Sequence, residues 1–350
     1  MNSIGFAIVG CGMIARFHAR ALAEIPQTRV RALVSRSLTN AEKMAAELGI
    51  TPALYTDLAV ALSDPQVDAV IITTPSGAHR EPALQAAQAG KHVVVEKPLE
   101  ISVTRCDEII AACDRAGVLL CTIFPSRFGD ANQELKQAIA LGRFGRLTLG
   151  ETTVKWWRSQ AYYDEGGWKG TQALDGGGAL MNQAIHNVDL LQWLMGDVSQ
   201  IMGFTATLAH ERIEVEDTAV ACLRFASGAL GVIQATTSVY PGLPKTIAIH
   251  GDRGSVVIEQ DDLIRWEFAD ALPQDNAIRT RFAQKTGASG GSSNPAAIGH
   301  EGHRRQLADF VQAILQGGKP AVDGREGRKS VAIIEAIYRS ARSGRVESIE

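Results

Sequence analysis

The sequence predicts an α/β protein: a doubly wound parallel sheet over residues 1–124, then, over 125–350, a second α/β domain with a large, mainly antiparallel, open-faced sheet. Three observations carry this. Short apolar runs alternate with helical patterns through the first third of the chain. A glycine-rich turn joins the first run to the first helix. After Pro125 the period changes to long alternating segments. At 350 residues the chain exceeds the size at which a single hydrophobic core keeps growing, and its 45% hydrophobic content can fill two.

In order, strands are expected at 4–9, 30–35, 68–72, 92–96 and 118–123, separated by helices reaching about 25, 48, 90 and 116. Ala69-Val70-Ile71-Ile72 and Val93-Val94-Val95 are continuous apolar runs, as strands covered by helices on both faces require. Their polar sequels, Thr73-Thr74-Pro75-Ser76-Gly77 and Glu96-Lys97-Pro98, fall at carboxyl strand ends, the edge where open α/β sheets bind ligands. A helix near 132–141 opens the second part. Alternating segments follow at 147–157, 200–208, 218–225, 231–239 and 246–250, with Gly228 in a hairpin turn. The Gly/Ser-rich stretch 286–293 is too polar for core and reads either as a mobile lid or as an idle loop. Helices at 302–316 and 326–341 close the chain, and no internal repeat is present.

A formal net charge of −3 without a basic run argues against nucleic acid as a partner. No apolar stretch approaches the ~18 residues of a membrane span, and a first strand starting by Ile4 leaves no room for a signal peptide, so a cytoplasmic protein is expected. The five cysteines form no CxxC pair and read as reduced core thiols. His300 and His303 share a helix face but have no acidic or thiol partner at a useful spacing, so no metal is expected.

Gly10-Cys11-Gly12-Met13-Ile14-Ala15 has the form of a dinucleotide fingerprint: glycines let the backbone approach a pyrophosphate, whose charge meets the following helix N-terminus. The second strand ends in Ser35-Arg36-Ser37, without the carboxylate that usually binds the ribose of NAD. Arg36 flanked by hydroxyls suits the 2′-phosphate of NADP, which is favoured, although Arg36 could instead stack on adenine while Ser35 bonds a 2′-hydroxyl of NAD. On the helix expected over 179–195, Asn182, His186, Asp189 and Trp193 recur on one stripe. Ala184, Val188, Leu191 and Met195 take the opposite, burying face.

Together, this fingerprint, Thr74-Pro75 followed by His79, Glu96-Lys97-Pro98, and Gly176-Gly177-Gly178 leading to His186 resemble the glucose-fructose oxidoreductase/inositol dehydrogenase (Gfo/Idh/MocA) family over nearly the whole chain. The resemblance implies a Rossmann domain, a C-terminal domain whose sheet often mediates homodimers or homotetramers, and hydride transfer between nicotinamide and a secondary alcohol of a carbohydrate. The chemistry agrees, since oxidising an alcohol needs a hydride acceptor and a base for the hydroxyl proton. Lys97 and His186 are the candidate catalytic pair, with His186 as base and Lys97 either holding the oxygen alone or also sharing its proton, two roles the sequence does not rank. Cofactor contacts are expected from Gly10, Cys11, Gly12, Met13, Ile14, Ser35, Arg36, Thr73, Thr74, Pro75, His79, Glu96 and Lys97.

Family position adds Arg127, His300 and Arg304 as substrate contacts, and Asp189 either orients His186 or faces solvent. Many relatives carry Asp where this chain has Asn182, which is therefore expected to bind a substrate oxygen. Asn182, with Tyr162-Tyr163-Asp164 and Gly167-Trp168-Lys169-Gly170-Thr171, resembles the branch of sugar-nucleotide and glycoside or anhydrosugar 3-dehydrogenases, which oxidise a ring hydroxyl, commonly at C3. Tyr163 and Trp168 either stack on a sugar or pack in the core; Lys169 suits an anionic group. Inositol oxidation, redox-neutral hydrolysis of glycosides with retained NAD, and a non-catalytic cofactor sensor are the alternatives.

Overall fold

The computed structural model describes residues 3–165, 167–283 and 299–349; the stretch 286–293 lies outside them. β1 (Ile4–Val9), α1 (Met13–Ala23), β2 (Thr28–Val34) and α2 (Leu38–Leu48) come first. β3 (Ala53–Tyr55), α3 (Leu58–Leu62), β4 (Ala69–Ile72), α4 (Arg80–Gln88), β5 (His92–Val95), α5 (Val103–Ala116) and β6 (Leu120–Thr122) follow. The six strands form one parallel sheet in the order β3-β2-β1-β4-β5-β6, with the order reversing at β1 and β4. Every residue of β1 and β4 is buried, which is why they read as unbroken apolar runs.

Two elements are absent from the sequence expectation. β3 has three residues, none buried, and forms the sheet edge; α3 has five. Elements this short carry no periodic signal. Glu96-Lys97-Pro98 therefore follows the fifth strand rather than the fourth.

The chain continues through α6 (Asp130–Ala140), β7 (Leu147–Lys155), α7 (Gln160–Asp164) and a π-helical turn at Ala179–Ala184 that runs into α8 (Ile185–Met195). β8 (Val198–Ala206), β9 (Thr218–Phe225), β10 (Leu230–Thr236), β11 (Thr246–Gly251), β12 (Gly254–Glu259), β13 (Asp262–Phe268) and α9 (Pro273–Arg281) come next. α10 (Glu301–Gln316), α11 (Gly324–Ser343) and β14 (Glu347–Ser348) end the chain. The second sheet has the order β13-β12-β11-β7-β10-β9-β8-β14 and is antiparallel except where β10 meets β7. Gly228, at φ +88°, turns the β9–β10 hairpin. At Gly150 a Cβ would lie 2.9 Å from Met195 Sδ and 3.0 Å from Leu191 Cδ1, so glycine is what lets α8 lie close on β7. The opposite face is open, with Phe204, Val220, Leu149 and Leu230 exposed.

The chain divides into two compact units, Met1–Pro125 with Gly299–Val331, and Ser126–Ile298 with Ala332–Glu350. This differs from a simple cut after 124. α10 buries Leu307, Phe310 and Val311 in the same core as Phe6, Ile8, Leu22 and Ile71, and Gln306 accepts from Phe124 N at 2.9 Å while donating to Thr122 O at 2.7 Å. Long-range packing of this kind leaves no local mark. Among the described residues no helix is long and apolar enough to cross a membrane.

Candidate active site

In the first unit the glycine turn leaves β1 at Gly10, whose φ of +95° places it in the left-handed region that favours glycine. Thr73 Oγ1, at the end of β4, donates toward Val9 O (3.0 Å) and Gly10 O (2.9 Å), fixing the turn against the neighbouring strand. Gly12 is the N-cap of α1, has no side-chain cap, and has open space where a Cβ would stand. A helix start with uncovered amides beneath an open glycine is a cradle for a pyrophosphate. Cys11 is half-buried near Ser35, and burial pushes its thiol up, so it is an inert wall. Met13 and Arg36 are exposed, Ile14 and Ser35 half-buried.

Beyond β5 the backbone of Lys97 is held from both sides. Glu96, buried, accepts Lys97 N–H on Oε2 at 3.0 Å and His18 Nε2 on Oε1 at 2.7 Å, with His303 Nε2 at 3.7 Å from that same oxygen. His79, also buried, stands 2.9 Å from Pro98 O through Nδ1 and 3.0 Å from Thr74 O through Nε2. Burial lowers the pKa of both His18 and His79 more than their hydrogen bonds raise it. Glu96 sits well below the usual carboxylate range: burial alone would raise it, but the hydrogen bonds of His18 and His303 hold it ionised. His18 is therefore neutral and donates through Nε2.

His18, Glu96 and His303 offer three ligand atoms within 4.8 Å of one another, a donor set of the type that holds a divalent cation. Yet the Nδ1 atoms of both histidines are buried without the acceptor that a ligating imidazole uses on its far side, and 2.7 Å is a hydrogen-bond length. The cluster is a hydrogen-bonded one. The expectation that His303 has no acidic partner is corrected: the fold supplies Glu96 from a distant part of the chain.

In the second unit the expected helix over 179–195 begins as a π turn. Gly178 N and Leu180 N donate to the buried Glu216 carboxylate at 2.9 and 2.8 Å, and Tyr338 OH donates to it at 2.9 Å. A Cβ at Gly178 would lie 1.9 Å from Glu216 O, so this glycine is what permits the approach. Asn182 donates to Asp175 Oδ1 at 2.5 Å, and its own oxygen accepts from Gln183 Nε2 at 3.1 Å. Gln183 also bonds Tyr162 OH (3.1 Å) and Arg158 Nη2 (2.9 Å). A carboxylate thus stands at Asn182 after all, supplied by Asp175.

Of the expected stripe, Asn182, His186 and Trp193 are half-buried, and Asp189 is interior. Asn187, Asp189 and Gln192 are all interior, because each finds a partner: Asn187 on Thr152 and Thr246, Gln192 on Asp197, and Asp189 on Arg127. Arg127 Nε and Nη2 reach the two Asp189 oxygens at 2.8 and 2.7 Å. Arg127, placed by sequence among the substrate contacts, is thus buried in an ion pair, and Asp189 does not face solvent.

Tyr163 is buried, edge-on to His210 and bonded to Thr237 Oγ1 at 2.9 Å, which favours the packing alternative. Trp168 is half-buried. Lys169 lies with Nζ 3.9 Å above the Tyr162 ring, and its partial burial lowers its pKa. His300 belongs to the first unit, 2.7 Å from Glu24, where Arg304 pairs with Glu301. Sequence reasoning missed His18, Asp175, Arg158, Gln183 and Glu216. Only His18 had a usable signal, an interior position on the helix that follows the fingerprint.

An open parallel sheet with a bare glycine turn at its switch point and a lysine fixed at a neighbouring strand end defines a nicotinamide-dependent oxidoreductase. The chain belongs to the GFO/IDH/MocA oxidoreductase family: residues 4–124 match the oxidoreductase NAD-binding Rossmann fold and residues 132–257 the GFO/IDH/MocA C-terminal domain. Its relatives are sugar and polyol dehydrogenases acting on CH–OH. It is 28% identical to myo-inositol 2-dehydrogenase of Thermotoga maritima, covering 98% of both chains. It is 26% identical to levoglucosan dehydrogenase of Pseudarthrobacter phenanthrenivorans over 97% of each. Among solved structures, the WlbA dehydrogenase of Bordetella pertussis, in complex with NADH and UDP-GlcNAcA, is 37% identical with a TM-score of 0.91, covering 100% of this chain and 98% of that one.

Proposed function

We propose that the protein is an NAD-dependent dehydrogenase oxidising a ring secondary hydroxyl, at C3, of a nucleotide-linked sugar acid. The observation that carries this reading is the 37% identity along the whole chain to WlbA, whose structure holds NADH and UDP-GlcNAcA. Lys169 supports it: a half-buried ammonium resting on Tyr162, beside the Gln183–Asn182 network, suits a sugar carboxylate.

The glycine turn at Gly10–Gly12, the first turn of α1, Ser35, Arg36 and Thr74 would hold the cofactor, and bound nicotinamide supplies the acceptor for the carbinol hydride. His186 takes the hydroxyl proton as the C–O bond becomes a carbonyl, Lys97 holds that oxygen, and Asn182, set by Asp175, binds a neighbouring one. Ser35 bonds the adenosine ribose while Arg36 stacks on adenine; a kcat/KM ratio favouring NADP would instead assign Arg36 to a 2′-phosphate.

The test is nicotinamide reduction with UDP-GlcNAcA, UDP-GlcNAc, free uronic acids, myo-inositol and levoglucosan. Turnover confined to the UDP-linked acid is expected, falling about 10²–10⁴-fold in His186→Ala. Preference for inositol or levoglucosan would replace the substrate; full activity in the variant would remove His186 from the mechanism.

A further inference from the structure

α1, the end of β5 and α10 each send one buried side chain to a single point beside Lys97. His18 comes from α1, Glu96 from the end of β5, and His303 from α10, with the two imidazoles edge-on at 5.2 Å. All three are at most 5% exposed. A carboxylate removed from water is costly unless donors meet it. The Glu96 oxygens divide the work: Oε1 faces the histidines and Oε2 takes the amide of Lys97. One residue on, the Pro98 carbonyl is held by His79.

We propose that Glu96 is a positioning residue for Lys97, its carboxylate anchored by His18 and His303 so that, with His79 on Pro98, the Lys97 backbone has one permitted placement at the end of β5. The catalytic consequence rests on the dehydrogenase reading above; the positioning itself does not. Lys97 then reaches its oxygen without sampling other orientations, and a misplacement of about 1 Å at such a group costs on the order of 10²-fold in rate. Folding alone does not explain the arrangement, because an apolar trio of similar volume would cover the same core without leaving two buried Nδ1 atoms unmet.

Glu96→Gln keeps the shape and removes the charge. It is expected to lower kcat by about 10-fold or more while KM for the sugar nucleotide stays within about 3-fold, the split that a misplaced transition-state group produces. The deciding measurement is independent of turnover: the rate at which an amine reagent labels Lys97, followed by peptide mass spectrometry, with Lys91 as internal reference. A change of about 3-fold or more at Lys97 alone is expected for Glu96→Gln, and a smaller one for His303→Gln, whose contact is longer. If Glu96→Gln does not fold, His303→Gln carries the test. Lys97 labelling at the wild-type rate in the folded variant overturns the proposal. Wild-type protein that oxidises no sugar refutes the substrate reading and leaves the labelling result standing.

Discussion

Glu96 and Asp189 are both buried carboxylates, one next to Lys97 and the other three residues after His186, but they are balanced in opposite ways. Asp189 meets the forked guanidinium of Arg127, so two full charges cancel in the interior. Glu96 meets a neutral imidazole and a backbone amide, so its charge is solvated by dipoles and persists. The first arrangement serves rigidity, because breaking it strands a charge; the second keeps a negative potential at a strand end facing a ligand edge.

Arg127→Met should break this contrast most forcefully. It takes the fork away from the buried Asp189 carboxyl and is expected to cost about 3–5 kcal/mol in urea unfolding, much of it recovered in the double variant with Asp189→Asn. A loss below about 1 kcal/mol would mean that the pair is not the second unit's anchor. Acid sensitivity comes next. His18 has a folded pKa below its ordinary 6.5, so its stabilising contribution is complete above that value and drains away as pH falls through the folded value, the unfolded chain taking up the proton first. Glu96, lowered from 4.5, adds the same sign further down. The urea midpoint should therefore fall between about pH 7 and about pH 5, and His18→Asn should flatten that slope. An unchanged slope would point to His79, whose burial has the same effect. The mildest expected change is the stability of Glu96→Gln, within about 1 kcal/mol of wild type, since losing the bond strength of a charged acceptor is offset by easier burial. A loss matching that of Arg127→Met would erase the distinction.

What could be read in advance was what the chain writes locally. The β1–turn–α1 unit is contiguous, and Glu96-Lys97-Pro98 announces itself as a polar break after Val93-Val94-Val95. The partners of these residues are not contiguous. His303 was visible as half of an i, i+3 pair, but its carboxylate lies across the whole sheet in sequence, and Asp189 gives no hint that its counterion is Arg127. Periodicity left Asp189 either beside His186 or in solvent and was silent on Asn187; inside, Arg127 meets the first, and Thr152 and Thr246 the second. β3 and α3 escaped for want of length.

The π turn at Ala179–Ala184 amounts to one extra residue lodged in an otherwise α-helical segment. A one-codon deletion there would let the segment relax to α geometry and rotate everything upstream by about 100° about the axis, while α8 kept its seat on β7. Asn182 would turn away from Asp175, and the Gly178 and Leu180 amides would leave Glu216. A lineage carrying this bulge can therefore re-aim Asn182 with a single insertion or deletion, at the cost of repacking Ala179, Leu180 and Met181, which are buried.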